Sequence, residues 1–250
     1  MTFDNKWLDP SIDDLKINTE FMKAYTANNY DECIKVLINK YGSVPYDYYI
    51  PKHKSKTRRT GQQRRGLQMH HIREDSFPNL ASCNIIDSLY AYTMQEELDI
   101  PIYETILKYQ KAEYLVYANI FEHIALHNIV TKQGHQSDSV IDTYKALWNS
   151  EIHVGIGGVC ALFIQVFVPI VLTQYHKDEL LTKSEMKQVE LYTASKNEAN
   201  YILGDSVALI RQYDDDFKLW ETWITNYLLK SAYVERKQII NEINNKVRFD

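Results

Sequence analysis

Two histidine pairs constrain the fold of this chain more than any other feature. His70 and His71 are adjacent within LQMHHI, and His123 and His127 stand one helical turn apart within FEHIALH. Together they make up four of the eight histidines. Histidine is the commonest transition-metal ligand and the usual proton shuttle near neutral pH. Residues i and i+4 share one face of a helix, so His123 and His127 can bind a single ion. Adjacent residues on a strand face opposite sides, which suits His70 and His71 to different tasks, one as a ligand and one facing a substrate. A third ligand from the first pair requires that this strand and this helix meet.

The helical pair also fits the zinc-protease motif HExxH, in which a glutamate after the first histidine acts as base. Here Ile124 occupies that position, and Glu122 precedes His123 and points elsewhere. The protease reading therefore fails on its catalytic residue.

A cationic strip lies just before the first pair. Lys52 to Arg65, KHKSKTRRTGQQRR, carries seven Lys and Arg and no acid. It has no apolar period and reads as an exposed loop or arm. Net charge over the whole chain is −5, so polyanion binding must rest on a local patch such as this one. Placed directly before the His-His strand, Lys52, Lys54, Lys56, Arg58, Arg59, Arg64 and Arg65 read as phosphate contacts.

Hydrophobic periodicity predicts a mostly helical chain around two short strands. Amphipathic helices are expected over 20–40, 84–97, 119–130, 140–148, 183–203 and 217–247. Short strands are expected at Leu67–Ile72 and Tyr114–Ala118. The expected class is α+β, predominantly helical, with a small strand-strand-helix core inside a helical elaboration. Residues 1–50 form an N-terminal helical segment, 51–131 the core with its inserted helix and basic arm, and 132–250 a helical region packed on the same domain. Val154 to Leu172 is almost wholly apolar and about long enough to cross a bilayer. Gln165, Pro169 and the glycines near its start favour a buried helix after a glycine-rich turn, with no stable membrane association. Cys33, Cys83 and Cys160 are scattered and form no CxxC pair, which points to a reducing, cytoplasmic setting. His53, His135, His153 and His176 read as ordinary core or surface residues. Asp214–Asp216 reads as an acidic helix start, and Cys160 as a packing residue.

GLQMHHI followed by EYLVYANIFEHIALH resembles the HNH, or ββα-metal, nucleases, and in particular the His-rich version found in colicin DNases. That pattern has a strand ending in two consecutive polar residues, a loop with an asparagine, a second strand, and a helix bearing H-x3-H. The resemblance implies that His70, His123 and His127 are metal ligands and that His71 is the general base. The family asparagine that orients the base falls on Tyr114. The segment between the two clusters, Arg73 to Ala112, is longer than in compact members. The implied activity is hydrolysis of phosphodiester bonds in DNA with a divalent cation. Three imidazoles favour Zn²⁺ or Ni²⁺; Mg²⁺ or Mn²⁺ can serve if waters complete the shell. The alternative is a non-catalytic, metal-stabilised nucleic-acid-binding protein.

If the basic strip grips phosphates, neutralising four of its seven cations weakens binding to all DNA sequences alike. The salt dependence then flattens by roughly one unit of log–log slope per lost contact. A salt titration of binding to two unrelated duplexes checks this, and an unchanged slope places the strip off the DNA path.

Overall fold

The structure is a computed structural model, described for residues 10–48, 66–75, 104–105, 107–134 and 155–213 and for the single positions 224 and 238. The basic strip, the helices expected over 84–97 and 140–148, that over 217–247 apart from positions 224 and 238, and His53, Cys83, His135, His153 and Asp214–Asp216 lie outside the described residues.

The chain starts with a short helix, α1 (Ile12–Leu15), closed by a capping box between Ser11 and Asp14. Next come α2 (Thr19–Thr26) and α3 (Tyr30–Tyr41). Periodicity alone predicts one helix over this stretch, and the break between them corrects it. Asn28 takes a left-handed backbone (φ 53), and the Asn29 side chain accepts from the Glu32 N–H at 3.1 Å, starting a new helix. Asparagine is suited to both tasks.

β1 (Gln68–His71) and β2 (Leu115–Ala118) form an antiparallel pair, with Gln68 opposite Ala118, Met69 opposite Tyr117, His70 opposite Val116 and His71 opposite Leu115. A 3₁₀ turn, Ile72–Asp75, follows β1 directly. β2 runs into α4 (Ile120–Gln133), whose start is fixed by a second capping box between Asn119 and Glu122. The expected order of strand, strand and histidine-bearing helix is therefore present.

The apolar segment forms α5 (Ile156–Gln174), entered through Gly155 at φ 83 and carrying Pro169 inside it. It is long and apolar enough to cross a membrane, but 61% of that window is buried inside the protein. Last come α6 (Lys183–Ala194) and α7 (Lys196–Tyr213). Periodicity predicts one helix over 183–203 here; the backbone leaves helical geometry at Ser195 (φ −129, ψ 38), whose hydroxyl accepts from Ile17 N–H at 3.2 Å. A serine that bonds a distant backbone amide gives the chain an alternative to continuing the helix.

Among the described residues the fold is predominantly helical with one small antiparallel sheet, as the periodicity predicts. The main core joins α1–α3, both strands, α4 and parts of α5–α7, from Leu15 to Ile202. A second cluster lies between α5 and α7.

One buried ion pair ties the N-terminal helices to α4. Glu122 is fully buried, and Oε1 accepts from Lys40 Nζ at 2.7 Å, while Oε2 accepts from the Tyr41 hydroxyl at 2.8 Å and from the Asn119 N–H at 2.9 Å. Burial raises the Glu122 carboxyl above its ordinary range despite the opposing pull of Lys40. Removing one partner of such a pair leaves a buried charge, at a cost of about 3–5 kcal/mol. Lys40→Met is therefore expected to destabilise by about 3 kcal/mol near pH 8. A carboxyl with a raised folded-state pKa favours the fold when protonated, so the deficit should shrink as pH falls toward 5. Denaturant unfolding of parent and variant at both pH values tests this, and a pH-independent deficit contradicts it.

Candidate metal centre

Strand alternation builds the first wall of the site. Gln68 and His70 share one face of β1 and turn toward α4; Met69 and His71 take the other. On α4, His123 and His127 lie one turn apart, facing β1. The His70 ring centroid is 4.9 Å from that of His123 and 5.1 Å from that of His127, and the two helical rings are 5.0 Å apart. One ligand nitrogen from each of His70, His123 and His127 lies within 4.8 Å of the others, so the three can hold a metal ion.

Neighbouring groups set which nitrogen each ring offers. His70 Nε2 lies 2.7 Å from the Tyr30 hydroxyl, which in turn reaches the Ile72 carbonyl at 3.1 Å. If Tyr30 donates to that carbonyl, it accepts from His70 Nε2–H, and the lone pair sits on Nδ1. Nδ1 is buried without a hydrogen-bond partner. His123 Nδ1–H donates to Gln68 Oε1 at 2.7 Å, which leaves Nε2 as its acceptor. The outer nitrogen of a metal-bound histidine is usually held in this way, so that the ring is oriented before the ion arrives.

His127 is positioned by steric contact. The first turn of α5 passes so close that a Cβ on Gly158 would lie 2.4 Å from His127 Nδ1 and 2.5 Å from Cε1. A Cβ on Gly155 would meet the Thr131 hydroxyl at 2.4 Å. The two glycines let α5 press its backbone against α4 behind the histidine, and His127 Nε2 is the nitrogen that faces the cluster.

Burial determines the charge state. It lowers His70 to about 3, and it is the main cause of the downward shifts of His123 and His127. Neutral imidazoles are what a metal requires. The same pocket holds an acid that the sequence reading missed. Glu74, on the 3₁₀ turn after β1, is only 8% exposed. Its Oε2 lies 3.6 Å from His70 Nδ1 and 3.3 Å from His127 Nε2, and its Oε1 lies 3.6 Å from His71 Nδ1. Burial opposes ionisation of Glu74, but His127, then His71 and His70, outweigh it and hold the carboxyl below its ordinary range. A buried carboxylate needs a positive partner. Either a protonated imidazole or a cation seated between the rings can supply that charge. The donor set and the orphaned Nδ1 of His70 both fit a bound ion.

His71 stands apart from the triad, as strand alternation requires. Its ring is 4.4 Å from that of Tyr48, its Nε2 is 3.1 Å from Gln110 Oε1, and it is 1% exposed. Gln110 is itself fixed through its carbonyl, which accepts from Tyr48 N–H at 2.7 Å. Tyr114, at the position of the family asparagine, lies in the turn before β2. Its ring packs on Tyr109 at 5.1 Å and under Lys108 Nζ at 5.5 Å. The amide beside His71 therefore comes from Gln110, a residue with no recognisable spacing in sequence. Gln68 was findable, since it shares a strand face with His70. Glu122, set aside above as a catalytic residue, is committed to Lys40, Tyr41 and the start of α4.

Comparison of the chain with protein-family models, with curated proteins and with solved structures gives no match.

The triad geometry predicts near-stoichiometric Zn²⁺ or Ni²⁺ binding that is lost when His70, His123 and His127 are all changed to alanine. Gly158→Ala pushes the His127 ring and is expected to weaken binding by about 10–100-fold, as loss of an orienting neighbour does. Competition with a chromogenic chelator measures both. Parent-like affinity in Gly158→Ala would show that the ring relaxes without cost.

Proposed function

We propose that this chain is a metal-dependent endonuclease of the HNH type that hydrolyses phosphodiester bonds in DNA. The supporting observation is selective convergence. Of the four clustered histidines, the three assigned as ligands by the resemblance meet at one point, and the one assigned as base lies on the opposite strand face. The strand-strand-helix order around them agrees with the same reading.

His70, His123 and His127 would hold the cation. A bound divalent ion supplies a Lewis acid that polarises the phosphate and stabilises the departing 3′ oxygen. The chain's own residues handle the proton. With Gln110 Oε1 as acceptor, His71 carries its proton on Nε2 and its lone pair on Nδ1. Nδ1 is then the atom that takes the proton of the attacking water. The imidazolium so formed would lie between two acceptors, Gln110 Oε1 and Glu74 Oε1. Such a base contributes about 10²–10⁴-fold in rate. In this scheme Gln110 orients the base, and Tyr114 is left packing the turn. The basic residues from Lys52 to Arg65 are the proposed phosphate contacts on sequence grounds alone.

One observation favours the second reading, a non-catalytic metal-stabilised nucleic-acid-binding protein. A base must reach its water, and His71 is buried beneath Tyr48 with a polar neighbour at each ring nitrogen. Supercoiled plasmid incubated with single added metals and an EDTA control separates the two. The nuclease reading expects metal-dependent nicking that falls at least about 100-fold in His71→Ala, with DNA and metal binding kept. It also expects an intermediate loss in Gln110→Ala and little change in Tyr114→Phe. Tight DNA binding with no cleavage under any metal moves the assignment to the second reading.

A further inference from the structure

We propose that Glu74 is the fourth protein ligand of the centre, its Oε2 joining His70, His123 and His127 around the ion while its Oε1 stays beside His71. The inference rests on the metal-binding part of the function proposed above, and extends it to a residue that neither the histidine spacing nor the family resemblance identifies.

Distances carry the argument. Glu74 Oε2 lies 3.3 Å from His127 Nε2 and 3.6 Å from His70 Nδ1. Both exceed the usual N–H···O separation of about 2.7–3.2 Å, so neither contact is a good hydrogen bond. Both are close to the donor–donor edge of a tetrahedral shell. With bonds of about 2.0–2.2 Å to nitrogen and oxygen, that edge is about 3.3–3.6 Å. The nitrogens nearest Oε2 are those free to bind an ion. His70 Nδ1 is orphaned, its Nε2 being engaged by Tyr30, and His127 Nε2 is the nitrogen turned into the cluster.

The backbone explains how the acid arrives. β1 ends at His71, and the chain turns at once into the 3₁₀ segment Ile72–Asp75. That reversal returns the Glu74 side chain toward His70 instead of carrying it away along the strand direction. The two carboxylate oxygens then serve different neighbours, Oε2 the ligand imidazoles and Oε1 His71 Nδ1 at 3.6 Å. One carboxylate thus spans the ion and the proposed base, and a phosphate would reach the ion as a fifth ligand. Chemically, a carboxylate added to three imidazoles lowers the net charge of the loaded centre by one and widens the choice of ion toward those that prefer oxygen.

The test is metal affinity and ligand field, read without any DNA. Glu74→Gln keeps the shape and removes the charge; Zn²⁺ affinity is measured by chelator competition, and Co²⁺ substitution reports the shell by its visible absorption. Loss of a neighbour that only orients a ligand costs about 10–100-fold, so loss of a direct ligand should cost at least about 100-fold. The Co²⁺ bands should also weaken and shift. A Glu74→Gln variant that binds Zn²⁺ within about tenfold of the parent overturns the proposal. If that variant does not fold, a crystal structure of the Zn²⁺-loaded parent decides: a Glu74 oxygen at about 2.0–2.2 Å supports it, and one beyond about 3 Å overturns it. Four-ligand binding without plasmid cleavage would refute the nuclease reading and leave this one standing. A parent that binds no metal overturns both.

Discussion

The placement of the site depends on the first turn of α4. Asn119 and Glu122 cap that turn reciprocally, and the same two side chains bind the N-terminal helices. Asn119 Nδ2 donates to the Leu15 carbonyl at 2.7 Å, and Glu122 accepts from Lys40 and Tyr41. Helix starts are usually satisfied locally; here the satisfying groups also hold α4 in rotation and tilt against α1 and α3. His123 follows Glu122 immediately, so the direction in which the acid is anchored fixes the direction in which the first imidazole projects. The acid facing the core and the histidine facing β1 are two consequences of one helical step.

Farther along α4 a polar network serves the same end. Asn128 donates to the Tyr25 hydroxyl and to the Ile202 carbonyl, and accepts from Ser206, each at 3.0 Å. Tyr25 donates to Asp205 at 2.6 Å, and Lys132 joins the same carboxylate oxygen at 2.6 Å. With α2 and α7 fastened on one side and β1 on the other, α4 has little freedom to rotate. That rigidity matters because a metal centre tolerates only small displacements of its ligands.

Patterns with a fixed period were legible in the sequence, and contacts without one were not. The i, i+4 pair on α4, the alternation at His70 and His71, and the strand before each were readable because geometry ties spacing to facing. The boundaries that failed, at Asn28–Asn29 and at Ser195, fall where a side chain caps or bonds locally within otherwise periodic sequence. Glu74 and Gln110 reach the site by turns and by pairing across the chain. Nothing in their spacing relative to the histidines announces them. Tyr114 was legible only through its place in the motif, and its ring contacts with Tyr109 and Lys108 have no sequence period either. The amide beside His71 belongs to Gln110, which lies outside the motif.

The glycine contacts at the start of α5 link two properties that otherwise look unrelated. α5 is the most apolar segment among the described helices, and its docking requires the backbone at Gly155 and Gly158 to lie against Thr131 and His127. An ion that holds the His127 ring in place therefore also holds the surface on which α5 rests. Among the described residues, the helix long and apolar enough to cross a membrane is thus seated on the face of α4 that carries a candidate metal ligand.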